Sequence, residues 1–380
     1  MTQPPRPRAR DLGIRFDGTP ARYNAITDVP GVEVGYTTLI RGNGQLRTGH
    51  GPVRTGVTAI LPYGRAGVGD VAVAGWYALN GNGEMTGTTW IEEAGGLAMP
   101  VVISNTHAVG ACQQGVIEWT TQHKPEVARQ WLLPVVAETW DGYLNDVNGA
   151  HVTAAHAIAA IDRAAGGFVA EGSVGGGTGM TCYGFKGGSG TASRTVAYGG
   201  DEYTVAVFVQ ANFGRRDELR IGGRPAGRLL SDDNPEEEED WSAPPGAGSV
   251  IVVLATDAPL LPGQCKALAR RAPLGLARTG TTGSHFSGDI FLAFSTANRN
   301  ALASTIPRVA ADDGYQQIRF LPWGHMDPFF AAAVQATEEA VVNCLVAAET
   351  MTGADDHRSP GLPVHRLAEL LASLGGWSRD

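Results

Sequence analysis

The sequence has few cysteines and few charged residues, and it lacks a long hydrophobic run. Its four cysteines (Cys112, Cys182, Cys265 and Cys344) lie far apart and form no CxxC pair. Neither a structural zinc site nor a disulfide framework is therefore predicted, and reduced, buried thiols are the expectation. No run of about 18 apolar residues occurs, which argues against a membrane-spanning helix.

The N-terminal segment is also short of apolar residues. Residues 1–10 are rich in Pro and Arg and contain no apolar stretch of the kind that a secretion signal requires. We therefore expect a cytoplasmic protein. The net charge of −9 comes mostly from residues 231–240, of which seven are Asp or Glu. This local acidity argues against a nucleic-acid partner.

Glycine is abundant, at 52 of 380 residues. So much glycine indicates tight turns and close backbone approaches rather than a bundle of long helices. Apolar segments with strand-like composition predict strands at residues 57–62, 71–79, 101–104, 203–212, 249–255 and 290–295. Apolar positions at helical spacing predict helices over 107–123, 126–140 (bent or broken at Pro134), 148–165 (capped by Asn148), 262–271, 327–349 and 362–374.

One junction carries the functional argument. Residues 214–248 are polar, rich in Pro and Gly and acidic, which predicts an exposed loop of the disordered type. Its acidic part would either gate access to a site or, as the default interpretation, solubilise a chain end created by cleavage. The loop ends at Gly248, and Ser249 begins a strand that is too apolar to lie outside the core. The strand would fix Ser249, while Gly248 would let the peptide bond between them adopt a strained conformation.

Such a junction suits an N→O acyl shift. The Ser249 hydroxyl would attack the preceding carbonyl, and water would open the resulting ester. The product would be a serine with a free α-amine, whose pKa of about 7.7–8.0 lets it act as a base for its own hydroxyl. On the physics of these residues alone, an ordinary loop that ends at a strand with an incidental Ser is the simpler interpretation.

The segment GSVIVVLATDAPL at 248–260 resembles the processing site of the L-aminopeptidase / D-amidase-D-esterase family, which includes the β-peptidyl aminopeptidases. The resemblance extends over most of the chain, through ITDVPGV at 26–32, NGNGE at 80–84, ETWDGYLND at 138–146, GGGTGM at 175–180, QANFG at 210–214 and SHFSGDI at 284–290. The order and spacing of these segments are specific, although no single one is decisive.

This resemblance implies a single-domain α+β (α/β) fold, a four-layer α-β-β-α sandwich like that of N-terminal-nucleophile hydrolases but with different strand connectivity. It implies self-cleavage between Gly248 and Ser249, which would give residues 1–248 and 249–380. It also implies hydrolysis of short peptides, amides and esters through an acyl-enzyme on Ser249, without a metal or other cofactor. Cleaved units of the family form homo-oligomers, typically tetramers.

The same resemblance implies roles for individual residues. Asn212 matches the oxyanion-hole amide and Tyr143 the active-site tyrosine, although a turn Asn and a core-edge Tyr are the ordinary alternatives. Glu138 is a candidate for binding the substrate's ammonium group, and an exposed helix position is its ordinary alternative.

Ser287 and Asp289 are two residues apart in an extended segment, so their side chains should share one face. A hydroxyl with a carboxylate behind it would suit either the hydroxyl or the amine of Ser249, whereas a polar loop is the ordinary alternative. The β-peptidase branch of the family has Glu at this acidic position, so Asp289 resembles the L-aminopeptidase / D-amidase branch.

Two other functions fit the same scaffold. An ornithine acetyltransferase-like enzyme would share the sandwich and the self-cleavage, but that family uses Thr where this chain has Ser249. A non-catalytic homologue would have no need of the full set of polar residues. The glycines of 175–179 lack the GxxxxGK[ST] pattern, so they predict close backbone packing rather than a phosphate loop.

Overall fold

A computed structural model of the chain describes residues 7–238, 248–304 and 315–373. The strands are β1 Glu33–Arg41, β2 Val53–Leu61, β3 Ala72–Ala78, β4 Gly96–Leu97, β5 Val101–Asn105, β6 Val135–Thr139, β7 Thr181–Cys182, β8 Phe185–Lys186, β9 Gly188–Tyr198, β10 Asp201–Asn212, β11 Gly248–Thr256, β12 Ser287–Ser295, β13 Met351–Thr352 and β14 Arg358–Ser359. The helices are α1 Thr88–Ala94, α2 Val109–His123, α3 Ala154–Asp162, α4 Ala226–Leu229, α5 Pro235–Glu238, α6 Pro262–Ala269, α7 Ala272–Arg278, α8 Asp327–Ala347 and α9 Val364–Ser373.

Two main sheets organise these strands. One has four strands in the order β1-β2-β5-β6, and the other has six in the order β4-β3-β12-β11-β10-β9. Within the larger sheet, β11 runs antiparallel to β10 and parallel to β12. The strand that begins at the predicted processing site is therefore central, with a hydrogen-bonded neighbour on each side.

The sheets pack face to face and helices cover both outer faces. Alternate residues of β11 serve the two sides of the larger sheet, since Ile251 and Val253 enter the core between the sheets while Val250 and Val252 pack toward the helices. Helices α2 and α3 cover the smaller sheet, and α6, α7 and α8 belong to the layer on the larger one. The predicted four-layer α-β-β-α sandwich is confirmed. Apolar residues on both faces explain why the central strands read as continuous hydrophobic runs.

The helix predicted over 126–140 is wrong. Only a short 3-10 turn at Val127–Arg129 forms, and Val135–Thr139 is instead β6, which pairs in parallel with β5. Pro134 has no N–H to donate to a helix, and the β-branched residues after it pack well in a buried strand. This difference matters because β6 carries Glu138 to the core and delivers Trp140 to the end of the sheet.

The helix predicted over 148–165 is shorter than expected. It begins at Ala154 with Thr153, not Asn148, at the N-cap position. Asp146 holds the preceding segment in a different conformation, because its carboxylate accepts the Gly49 N–H at 2.8 Å and contacts His151 Nε2 at 2.8 Å. Local side-chain pairing of this kind competes with helix formation.

Helix α8 is long and apolar enough, by length and composition, to cross a membrane. However, 72% of its apolar stretch is buried within the protein, and residues such as Phe329, Ala336 and Val341 pack in the helical layer against the larger sheet. It is therefore a core helix of the sandwich. The four cysteines are buried and free, as expected.

Candidate active site

Ser249 is the second residue of β11 and is only 1% exposed. Its side chain lies on the same face as that of Ile251, which points into the space between the sheets. The backbone N–H of Trp140, just beyond β6, donates to Ser249 Oγ at 3.1 Å. The hydroxyl is thus held where the ends of the two sheets meet.

Gly248 precedes it under tight steric constraint. Its N–H donates to the Phe286 carbonyl at 3.4 Å. A Cβ on this residue would lie 2.2 Å from the Asn212 carbonyl oxygen, far inside van der Waals contact. Glycine is needed here because the neighbouring strand approaches so closely.

Asn212 ends β10 directly opposite Ser249 in the antiparallel register. Its Oδ1 accepts the Thr181 N–H at 2.9 Å, which fixes the orientation of the amide. With the oxygen used in this way, the remaining capacity of the side chain is donation through Nδ2. The position therefore offers a hydrogen-bond donor beside the Ser249 hydroxyl.

A cavity of about 280 Å³ unites most of the predicted residues. Its walls include Ser249, Asn212, Tyr143 and Glu138, together with Asn82, Thr106, Trp140, Gly179, Thr181, Glu236, Gly248 and Phe286. None of these lining residues is Lys, Arg or His, whereas two are carboxylates. The cavity wall therefore offers sites for cationic and neutral polar groups.

Glu138 is a buried residue of β6, so the exposed helix position considered for it is wrong. It is 3% exposed, and its Oε1 accepts the Glu84 N–H at 3.0 Å while its Oε2 accepts a hydrogen bond from the Thr106 hydroxyl. Burial raises the pKa of Glu138, although these two hydrogen bonds oppose the rise. The carboxylate is held rigidly and faces the same cavity as Ser249.

Tyr143 forms another part of the wall. It is 2% exposed, and its ring stacks on His357 with centroids 4.7 Å apart and planes 4° from parallel. Its hydroxyl lies 3.5 Å from the Arg358 carbonyl oxygen. The ring is therefore fixed in orientation at the end of the cavity nearest β14.

Ser287 and Asp289 form the predicted pair. The Ser287 hydroxyl donates to Asp289 Oδ1 at 2.5 Å, and Asn80 donates from Nδ2 to Asp289 Oδ2 at 2.9 Å. The Asp289 N–H in turn donates to Asn80 Oδ1 at 2.6 Å. Burial raises the pKa of the Asp289 carboxyl. Both side chains are 2–3% exposed, which excludes the solvated loop considered for them.

The structure does not bring this pair to the Ser249 hydroxyl. Ser287 is the register partner of Gly248, and Ser249 is the partner of Gly288. Because side chains alternate along a strand, Ser287 and the Ser249 hydroxyl lie on opposite faces of the sheet. Ser287 lines a separate cavity of about 200 Å³ with Phe213 and Thr281. The pair is thus beside the backbone of the Gly248–Ser249 junction.

Sequence reasoning missed three contributors to this site. Asn80, which clamps Asp289, lies in a segment noted only for its family resemblance. Thr106 and the backbone N–H of Trp140 carry no sequence signal, because their roles depend on which strands become neighbours. No group of three or more His, Cys, Asp or Glu side chains is arranged to hold a metal ion within residues 7–238, 248–304 and 315–373.

Residues 214–238 of the segment predicted as an exposed loop make defined contacts, and residues 239–247 lie outside the described part of the chain. Arg216, which is 2% exposed, donates to the carbonyls of Leu230 and Asp232 at 2.9 and 3.3 Å. Asp232 forms an ion pair with Arg366, and Asp233 forms a two-contact ion pair with Arg358. These contacts attach the start of the segment to the body of the protein.

Comparison with known proteins agrees with this geometry. Residues 24–359 match the model of peptidase family S58. The chain is 51% identical over 373 residues to beta-peptidyl aminopeptidase BapA of Sphingosinicella microcystinivorans, covering 96% of this chain and 92% of that protein. It is 47% identical over 374 residues to BapA of Sphingosinicella xenopeptidilytica, covering 96% and 91%.

A solved structure is also similar to this chain in fold and sequence. The L-aminopeptidase D-Ala-esterase/amidase of Ochrobactrum anthropi, a prototype serine aminopeptidase described as a variant of the Ntn hydrolase fold, superposes with a TM-score of 0.88 at 45% identity, over 97% of this chain and 99% of that one. The chain belongs to peptidase family S58, and it is a hydrolase of the aminopeptidase class.

Proposed function

We propose that this aminopeptidase uses Ser249 as its nucleophile and that it becomes active by cutting its own Gly248–Ser249 bond. The observation that carries the proposal is the hydrogen bond from the Trp140 N–H to Ser249 Oγ, inside a cavity shared with Asn212 and Glu138. A buried serine with an oriented hydroxyl, a free amide donor and a carboxylate within one cavity suits acyl transfer from an amine-bearing substrate.

Cleavage supplies the base. The intact chain has an amide nitrogen at Ser249, which cannot accept a proton, whereas the cleaved chain has an α-amine there. The pair formed by Ser287 and Asp289 lies on the Gly248 side of the junction. Its place is therefore to hydrogen-bond the new amine and orient it, while the amine takes the proton from Ser249 Oγ.

The reaction then follows from the positions of the groups. Ser249 Oγ attacks the substrate carbonyl, and Asn212 Nδ2 donates to the oxyanion that forms. The C–N or C–O bond breaks as the protonated α-amine returns its proton to the leaving group, which leaves an acyl-enzyme. Water, deprotonated by the same amine, releases the N-terminal residue and restores the hydroxyl.

Glu138 is proposed to bind the substrate's ammonium group, since it is the rigidly held carboxylate on the β12 side of the cavity. Short peptides, amides and esters with a small L-, D- or β-amino N-terminal residue are the proposed substrates. The names of the relatives support β-peptides and D-Ala amides or esters, and Asp289 resembles the L-aminopeptidase branch. By the same family resemblance, we propose a homotetramer of cleaved units.

One gel with an activity assay tests the proposal. Purified wild-type protein is expected to run as two fragments, residues 1–248 and 249–380, and to release p-nitroaniline from alanine, D-alanine or β-alanine anilides. Ser249→Ala is expected to remain a single inactive chain. An intact wild-type protein that hydrolyses these anilides would contradict the mechanism. A cleaved protein that transfers acetyl groups to glutamate but hydrolyses no anilide would support the transferase instead.

A further inference from the structure

Lys186 has a buried amine that the reaction proposed above does not use. The residue lies in β8 with 0% exposure, and its Nζ donates to the carbonyls of Met180 at 2.6 Å and Gly187 at 2.9 Å. Lysine is almost never fully buried without a specific partner. We infer that Lys186 is a positioning residue that orients the Asn212 amide for the oxyanion through one intervening peptide group. This inference rests on the oxyanion role proposed for Asn212.

The intervening peptide group joins Met180 to Thr181. Its carbonyl, on Met180, accepts the hydrogen bond from Lys186 Nζ. Its N–H, on Thr181, donates to Asn212 Oδ1 at 2.9 Å. Because a peptide group is planar and rigid, a hydrogen bond that fixes the carbonyl also fixes the direction of the N–H. The Asn212 amide, and with it the direction of Nδ2, is therefore set by a peptide group that Lys186 holds.

The segment before this peptide group has few side chains that could hold it in place. Four of the five residues 175–179 are glycines, and a Cβ on Gly177 would lie 2.5 Å from the Ser189 backbone nitrogen. Such close packing excludes side chains, so the buried carbonyls of the segment need donors from elsewhere in the protein. Lys186 Nζ also lies 3.5 Å from the Gly177 carbonyl oxygen, in addition to its contact with Met180. The amine thus holds the glycine segment where it leads toward the cavity.

The hydrogen bonds of Lys186 do not depend on its charge. Burial lowers its pKa to about 7, although Cys344, Cys182 and Asp141 oppose the fall. The ammonium form has three N–H groups and the neutral amine keeps two, so either form can donate to two carbonyls at once. The positioning role therefore persists on both sides of this pKa.

Lys186→Met tests the inference, because it keeps the length of the side chain but removes its hydrogen-bond donors. The kcat for an alanine anilide, per mole of cleaved protein, should fall by about 10-fold with little change in KM, since a displaced oxyanion donor loses part of the roughly 100-fold that it contributes. The loss should be partial, because the Met180 carbonyl keeps its hydrogen bond from the Gly187 N–H. Lys186→Gln retains a shorter donor and should lower kcat by a smaller factor, and it carries the test if Lys186→Met does not fold.

A double mutant distinguishes positioning from a general structural role. In an Asn212→Ala background, the Lys186 substitution should lower kcat no further, because the amide that Lys186 orients is gone. Asn343→Leu provides the control. Asn343 is a buried residue of α8 that donates to the Thr191 carbonyl at 3.1 Å and does not line the cavity. Its substitution should lower the melting temperature but leave kcat unchanged.

Two results would overturn the inference. One is a wild-type kcat in Lys186→Met, or in Lys186→Gln where that variant carries the test. The other is an equal fall in kcat with and without the Asn212 amide. Failure of the proposed function itself is distinguishable, since Asn212→Ala alone would then keep the wild-type kcat.

Discussion

Ser249 and Ser287 lie at the starts of neighbouring parallel strands, yet their side chains lie on opposite faces of the sheet. The register pairs Ser287 with Gly248 rather than with Ser249. Two hydroxyls only one strand apart are thereby given different surroundings, since one faces the substrate cavity and the other faces Asp289. The sequence offered two partners for the pair of Ser287 and Asp289, namely the hydroxyl and the amine of Ser249. This geometry favours the nitrogen of Ser249.

This geometry predicts the effect of removing the buried charge of the pair. In Asp289→Asn, the residue can still accept a hydrogen bond from Ser287, but it no longer stabilises a protonated α-amine. We expect kcat to fall by about 10- to 100-fold, within the usual range for general acid–base assistance, while KM changes little. Steady-state kinetics on an alanine anilide would measure this.

The clamp on Asp289 provides the matching control. Asn80→Ala removes both hydrogen bonds between Asn80 and Asp289 but keeps the Asp289 carboxylate itself. Asn80→Ala should also lower kcat, but by a smaller factor than Asp289→Asn does. An Asp289→Asn variant with wild-type kcat would show that the pair takes no part in proton transfer.

Gly248 leads to a prediction about self-cleavage. An alanine Cβ would lie 2.2 Å from the Asn212 carbonyl oxygen, and that oxygen belongs to backbone that cannot rotate away. Gly248→Ala should therefore displace the junction and slow the appearance of the two fragments by at least about 10-fold, which corresponds to only about 1.4 kcal/mol in the barrier. A time course of freshly expressed protein on a gel would follow it.

A control glycine distinguishes local strain from a general loss of stability. A Cβ at Gly324 would meet nothing within 4 Å, so Gly324→Ala should cleave at the wild-type rate. Normal cleavage of Gly248→Ala would mean that the strand gap at Asn212 opens easily, and the steric explanation for glycine at this position would be lost.

The central strands of the sandwich could be predicted because both of their faces are apolar. The segments that became β10, β11 and β12 are nearly continuous hydrophobic runs, and such runs have few alternatives to a buried strand. The sequence pattern predicts a helix for the segment that forms β6, because five residues after Pro134 are too few to show a strand period. Short elements depend on their neighbours more than on their own sequence.

The individual contacts of the site depend on strand pairing and could not be predicted in the same way. Trp140 reaches Ser249 across 109 positions, and Asn80 reaches Asp289 across 209. Residue types suggested Ser249, Asn212 and Glu138 only through a family resemblance. A backbone N–H such as that of Trp140 is the same in every residue but proline, so no pattern in the sequence marks it as functional.

Substitutions of Asn212 distinguish its structural role, the hydrogen bond to Thr181, from its proposed role at the oxyanion. Asn212→Asp keeps an oxygen to accept the Thr181 N–H but removes the amide donor. If Nδ2 stabilises the oxyanion, kcat should fall by about 100- to 1000-fold with little change in KM, the usual result of losing one oxyanion donor. Asn212→Ala should lose as much activity and also some thermal stability, because the Thr181 N–H is left unpaired. An Asn212→Asp variant with unchanged kcat would exclude the oxyanion role.

Glu138 links substrate binding to pH. Burial raises its pKa above that of an exposed Glu, and only the ionised carboxylate attracts an ammonium group. KM should therefore increase as the pH falls through this raised pKa, and it should be flat above it until the substrate amine loses its proton. Glu138→Gln should remove this acid-side increase and raise KM at neutral pH about 30-fold, equivalent to about 2 kcal/mol for a hydrogen bond between charged groups.

A substitution of Thr106 should shift the pKa of Glu138 without removing the Glu138 carboxylate. Its hydroxyl donates to Glu138 Oε2 and lowers the pKa of that carboxyl. Loss of the hydrogen bond in Thr106→Val should raise the pKa further, so the increase in KM should begin at a higher pH than in the wild type. KM for an alanine anilide, measured between about pH 4 and pH 8, would show all three profiles. If the acid-side increase in KM persisted unshifted in Glu138→Gln, some other group would be responsible for binding the ammonium.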